Sequence, residues 1–280
     1  MSSIEFTWGP GDVDDLIAAT EVDEAVLISL ENLPGKNARI LEAGAGTGRV
    51  LRFLVDRGYE NVVGIELNNA AVEEFNRRFP ELQMLQGDIL AMPFASESFD
   101  VVLSYGVVEH FQTLGPVPPL RAMHDVLPPG GLAIVTVPSA NVLRRIGDAK
   151  HALRNRIRLR ENPALRRAFK KPAIARATQN PFGYSVSPRD GRFFEYRLTP
   201  AQFHRACTDA GFEIVESRPI YHIDGLYHSL GGRWIRFEHW RFIVPAWLSV
   251  VNRILRCVPY FHNHMELCVL RKPERSAGRG

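Results

Sequence analysis

The stretch ARILEAGAGTGRVLRFLVDRG, residues 38–58, decides how this chain folds. Residues 38–45 form an apolar run that reads as a buried strand, and 48–58 read as a helix ending at Gly58. Between them lies the turn Glu42-Ala43-Gly44-Ala45-Gly46-Thr47-Gly48. Glycines there let a ligand approach the backbone, and the N-terminus of the helix favours a carboxylate or phosphate. A dinucleotide-binding turn requires GxGxxG. Counted from Gly44 and Gly46, the third position is Arg49, so the nicotinamide reading fails. The spacing is instead ExGxGxG, with an acid at the strand's end. That negative charge opposes a phosphate but suits a ligand carrying an ammonium group.

Outward from this turn the chain alternates. NVVGIEL (61–67), LQMLQGD (82–88), FDVVLSY (99–105) and GLAIVTVP (131–138) read as strands. Helices are expected from about Asn69 to Phe79 and around Leu120–Leu127, the second closed by the turn PPGG (128–131). Apolar strands separated by helices of this length predict a parallel sheet covered on both faces. The pattern breaks from about Ser139 to Leu198. It resumes at Thr199-Pro200-Ala201-Gln202, a capping box with proline at the first helical position. FEIVESRPI (212–220) and MELCVLRK (265–272) supply two more strands, and PERSAGRG reads as a frayed tail.

Composition narrows the class. With 45% apolar and 23% charged residues in 280, wholesale disorder is excluded. The net charge of +3 hides an asymmetry. Residues 141–177 carry twelve Lys/Arg and two Asp/Glu, a net of +10, which leaves −7 on the rest. Cys207, Cys257 and Cys268 show neither a disulfide framework nor zinc spacing. No signal peptide or membrane span of ~18 apolar residues is visible. A cytoplasmic protein is expected, with contact at a membrane surface left open.

In these motifs the chain resembles the class I S-adenosylmethionine-dependent methyltransferases. The resemblance covers roughly 38–138 plus the terminal strands. It implies a Rossmann-like, doubly wound α/β fold: a seven-stranded, mostly parallel sheet with an antiparallel last strand, helices on both faces and two insertions. The implied organisation is an N-terminal helical segment (1–37), a cofactor-binding core (38–138), a basic insertion (139–198) and a C-terminal part (199–280) with an amphipathic insertion at about 221–263. The resemblance assigns the methionine part of the cofactor to Glu42, Gly44, Ala45, Gly46 and Gly48. Glu66, with Leu67 beside it, matches the acid that binds both ribose hydroxyls. Asp88 and Ile89 match the adenine site, and Ser104 and Tyr105, which end the fourth-strand motif, are also assigned to the cofactor. Ubiquinone-pathway O-methyltransferases resemble the Glu109-His110 region but place a glutamate where this chain has Gly106. No metal is therefore expected.

The implied activity is methyl transfer to a small acceptor, with lipophilic acceptors and oxygen nucleophiles favoured. A base is sought among His110, His222 and His228, with Tyr184 as an outsider, because histidine titrates near neutrality. His110, following the fourth strand, ranks first. Leu143, Ile146, Leu153 and Ile157 recur at helical spacing in the basic insertion. Between Pro245 and Pro259 an amphipathic helix is expected, with Trp247, Val251, Ile254, Leu255 and Val258 on one side and Ser249, Asn252, Arg253 and Arg256 opposite. Plain packing, a lid over the acceptor, membrane docking and nucleic-acid binding stay open for these insertions. Nucleic acid is disfavoured, because (D/N)PP(Y/F) is absent after the fourth strand; NPFGY (180–184) lies elsewhere. The rival activities are a non-catalytic cofactor-binding protein holding a partner through its basic insertion, and an RNA-directed methyltransferase. Oligomeric state is not legible.

Overall fold

A computed structural model of the chain describes residues 12–146, 182–186, 193–230 and 234–275. Leu153 and Ile157, most of the basic segment and the end of the C-terminal tail lie outside the described residues. The first strands and helices follow the alternation read above: β1 (Arg39–Ala43), α3 (Arg49–Asp56), β2 (Asn61–Glu66), α4 (Asn69–Arg78), β3 (Gln83–Gln86), β4 (Val101–Tyr105), α5 (Val117–Asp125) and β5 (Leu132–Pro138). Two helices precede them, α1 (Asp12–Thr20) and α2 (Glu24–Asn32). A hairpin of β6 (Gly183–Val186) and β7 (Phe193–Arg197) leads to α6 (Pro200–Asp209) and β8 (Glu213–Ile220). The chain closes with α7 (His222–Leu230), β9 (Arg236–Glu238), β10 (Arg241–Ile243), α8 (Ala246–Leu255) and β11 (Met265–Arg271).

Seven strands form one sheet in the order β3-β2-β1-β4-β5-β11-β8. β1 to β5 pair in parallel, and β11 runs antiparallel to both neighbours. The expected Rossmann-like α/β sheet is present. β1 and β4 are buried almost throughout, because helices cover both faces. One core joins Leu41, Val102 and Val135 to α5 and α6; the other joins Ile40, Leu103 and Ile134 to α2, α3 and α4. Both capping-box bonds of Thr199 and Gln202 form, which fixes where α6 begins and so how it meets the sheet.

This topology brings the carboxyl ends of β1 to β5 and β8, and the amino end of β11, to one edge. α1 and α2 close one side of it. Tyr196 and Leu198, from the stretch where the alternation broke, are fully buried in the main core. α7, β9, β10 and α8 build a smaller core of Leu226, Ile235 and Leu248, against which Leu143 and Leu255 pack. α8 divides the apolar side read above. Leu248, Asn252 and Leu255 turn inward, while Trp247, Val251 and Ile254 face solvent. The reason is a polar partner invisible to periodicity: Asn252 Oδ1 accepts from His262 Nε2 at 2.8 Å.

Candidate active site

The glycine turn sits at the centre of that edge, and its glycines do different things. All three hold positive φ. A Cβ on Gly48 would lie 2.2 Å from two Phe75 ring carbons, and one on Gly44 would lie 2.6 Å from Val107. Those two positions serve close packing. A Cβ on Gly46 would meet nothing within 4 Å, so the turn opens to a ligand there. Ala45 is buried between them. Gly46 N donates to Glu66 Oε2 at 2.8 Å, and Asn68 N donates to Glu66 Oε1 at 2.9 Å. The acid at the end of β2 is thereby fixed beside the turn.

Glu42 is 4% exposed, and its Oε2 has no hydrogen-bond partner. Burial pushes its carboxyl up to about 8, Arg49 opposing and Glu66 adding to the shift. Asp88 caps the short helical turn Ile89–Ala91 through Leu90 N (2.9 Å), with Ile89 buried beneath and Leu67 exposed near Glu66. Ser104 is placed otherwise than a ligand-facing side chain: it is fully buried, and its hydroxyl donates to Ala43 O at 3.0 Å, tying β4 to β1. The Tyr105 hydroxyl likewise turns to Ser29 on α2 (2.7 Å), where burial raises its pKa.

The sequence reading missed what closes this side. Arg49, noted only for breaking a motif, reaches Asp23 Oδ2 (2.8 Å) and Thr20 Oγ1 (3.0 Å). Tyr221 OH donates to Asp23 Oδ1 at 2.5 Å, and Tyr221 N to Glu24 Oε2 at 2.8 Å. This part-buried network joins α1, α2, the start of α3 and the end of β8. Its only local signal was Asp23 as a helix cap, a role it also fills.

On the other side, the segment after β4 meets the hairpin. His110 Nδ1 lies 2.6 Å from Phe194 O. A carbonyl can only accept, so Nδ1 carries the proton and the neutral ring's lone pair is on Nε2. Tyr196 OH donates to Gln112 O, locking the same contact. Glu109 is buried with Oε2 unpartnered, and burial holds its pKa well above the ordinary value. The other candidates are dispersed. His222 is buried 5.0 Å from the His262 ring, and burial with Arg256 pushes it down to about 4, too acidic for an efficient base near neutrality. Tyr184 stands exposed on β6. His228 Nε2 lies 3.0 Å from Asp224 Oδ1, and His264 Nε2 lies 3.9 Å from Asp224 Oδ2. These three groups are close enough to suggest a cation site. Their geometry opposes it: the imidazoles stack at 4.7 Å and 21°, so their in-plane lone pairs run nearly side by side. Arg144 also contacts His264 Nδ1 at 3.2 Å.

Residues 41–135 match a family described as Methyltransferase domain. The core of this chain is a class I S-adenosylmethionine-dependent methyltransferase domain. The chain is 31% identical over 125 residues to a malonyl-[acyl-carrier protein] O-methyltransferase of Enterobacter lignolyticus, covering 44% of this chain and 49% of that one. It is 37% identical over 113 residues to a demethylmenaquinone methyltransferase of Beutenbergia cavernae, covering 40% and 44%. The matches thus span a little under half of each relative. The fold is shared with an S-adenosylmethionine-dependent methyltransferase of Mesorhizobium loti at a TM-score of 0.53 and 13% identity, covering 89% and 99%. The methyltransferase domain's own geometry fits its cofactor. Open space lies at Gly46, and the orphaned Glu42 oxygen suits an ammonium group. Glu66 ends β2 and Asp88 follows β3 on the same sheet edge.

Proposed function

We propose that this protein transfers a methyl group from S-adenosylmethionine to an oxygen of a small, lipophilic acceptor. The observation that carries methyl transfer is the ordered row at the sheet edge: the Gly46 opening, fixed Glu66 and Asp88 at the ends of three successive strands. When bound, S-adenosylmethionine supplies an electrophilic methyl on a sulfonium, so the protein's main task is alignment. Glu42 pairs with the ammonium, Glu66 holds the ribose, and Asp88 with Ile89 holds the adenine.

Oxygen as the nucleophile is supported by His110. Its Nδ1–H is anchored on Phe194 O, so Nε2 can take a hydroxyl proton as the acceptor oxygen attacks. The lipophilic class is supported by the quinone named in one relative and by the apolar second insertion. The test measures S-adenosylhomocysteine release by the full chain with hydroxylated quinols, other phenols, polar amines and RNA. Turnover with the phenolic acceptors, lost in His110→Ala, is expected. Cofactor binding without turnover on any acceptor would make this a binding protein, and turnover on RNA alone would move it to the RNA-directed class.

A further inference from the structure

The second insertion turns its most apolar side to solvent. On α8 the outward residues Trp247, Val250, Val251 and Ile254 are 52, 58, 37 and 64% exposed. They recur at helical spacing and form one stripe. At one end Trp234, itself half exposed, packs edge-on against Trp247 at 5.7 Å. At the other lies exposed Val258, and Val142 N bonds Tyr260 O at 3.1 Å, bringing in exposed Val142 and Ile146. The inner side of α8 is already satisfied by Leu248 and Leu255, so this is a second apolar side. Patches of this extent on soluble proteins mark contact surfaces.

Charge identifies the partner. α8 carries no Asp or Glu, and residues 234–260 contain four Arg and one Glu. Arg145, Arg236, Arg253 and Arg256 are exposed, Arg236 near Glu238 and Arg256 near Glu24. From Ile146 the sequence continues into residues 147–177, with ten Lys/Arg against two Asp/Glu. A second copy of the chain would set this charge against its like, and a nucleic acid would leave the apolar stripe uncovered. An anionic bilayer answers both features, since interfacial helices bury an apolar face at the headgroup boundary while basic residues meet lipid phosphates.

We propose that the outer face of α8, with Trp234, Val258 and the helical residues 142–146, docks on the surface of an anionic phospholipid bilayer. The inference does not depend on methyl transfer. Flotation of the full chain with vesicles of phosphatidylcholine, alone or mixed with phosphatidylglycerol, tests it. Binding to the mixed vesicles only is expected, weakening as salt rises. Trp247→Ser and Ile254→Ser should each lower partitioning about tenfold, because each removes apolar area from the buried stripe. Melting temperature should hold, since both side chains are exposed. No binding to phosphatidylglycerol vesicles would overturn the proposal, as would binding that both variants retain in full. So would a dimer at working concentration that Ile254→Asp dissociates, which would give the face to a second copy.

Discussion

Replacing Glu42 by glutamine separates the charge of this side chain from its shape. Burial raises the Glu42 carboxyl from 4.5 to about 8, so at pH 7 about one site in ten is ionised. If the carboxylate is what receives the cofactor's ammonium, affinity should rise about tenfold per pH unit between pH 6 and 7, where the ionised fraction grows tenfold. Glu42→Gln should bind weakly with a flat profile. Stability moves the other way. Between pH 4.5 and 8 the folded protein holds a proton that the unfolded chain releases, so this group's contribution falls as pH rises. At pH 7 that is about 2.5 pH units, on the order of 3 kcal/mol, which Glu42→Gln should recover as a higher melting temperature. Calorimetric titration at pH 6, 6.5 and 7, with thermal melts at the same values, reads both effects. A wild-type affinity that ignores pH, or a glutamine variant with the same slope, would refute the reasoning.

Further outcomes follow from the same geometry. Glu66→Ala should stay folded and lose about 1.5–3 kcal/mol of cofactor binding, the range for hydrogen bonds to a charged group, measured by calorimetry. Gly46→Ala should cost the fold about 1 kcal/mol for its positive φ yet weaken cofactor binding at least about tenfold, because its methyl enters the ligand's space. Gly48→Ala should instead lower the melting temperature sharply, since the added carbon collides with Phe75. With an accepted substrate, His110→Ala should lower kcat by about 10²–10⁴. His222→Ala should leave it unchanged.

Much of the fold was legible because its signals are local. Apolar runs, the capping box at Thr199 and the glycine turn depend on residues within a few positions of one another, and each strand of the sheet was read from its own segment. Motif order along the chain also gave Glu66 and Asp88 their places, since successive strands of such a sheet end on one edge. The sequence did not reveal which way side chains turn once distant segments meet. Ser104 turned inward because Ala43, 61 residues away, offers a carbonyl. Arg49 became the link to the N-terminal helices because Asp23 and Thr20 stand opposite it, and Glu42 holds its proton because those helices and the sheet bury it. His110 acquires a defined tautomer only from Phe194, 84 residues later. On α8 the sequence determined an amphipathic helix, but a hydrogen bond from His262 decided which side faced the core. Periodicity fixes the angles between residues on a helix, and only the partners it packs against fix its rotation.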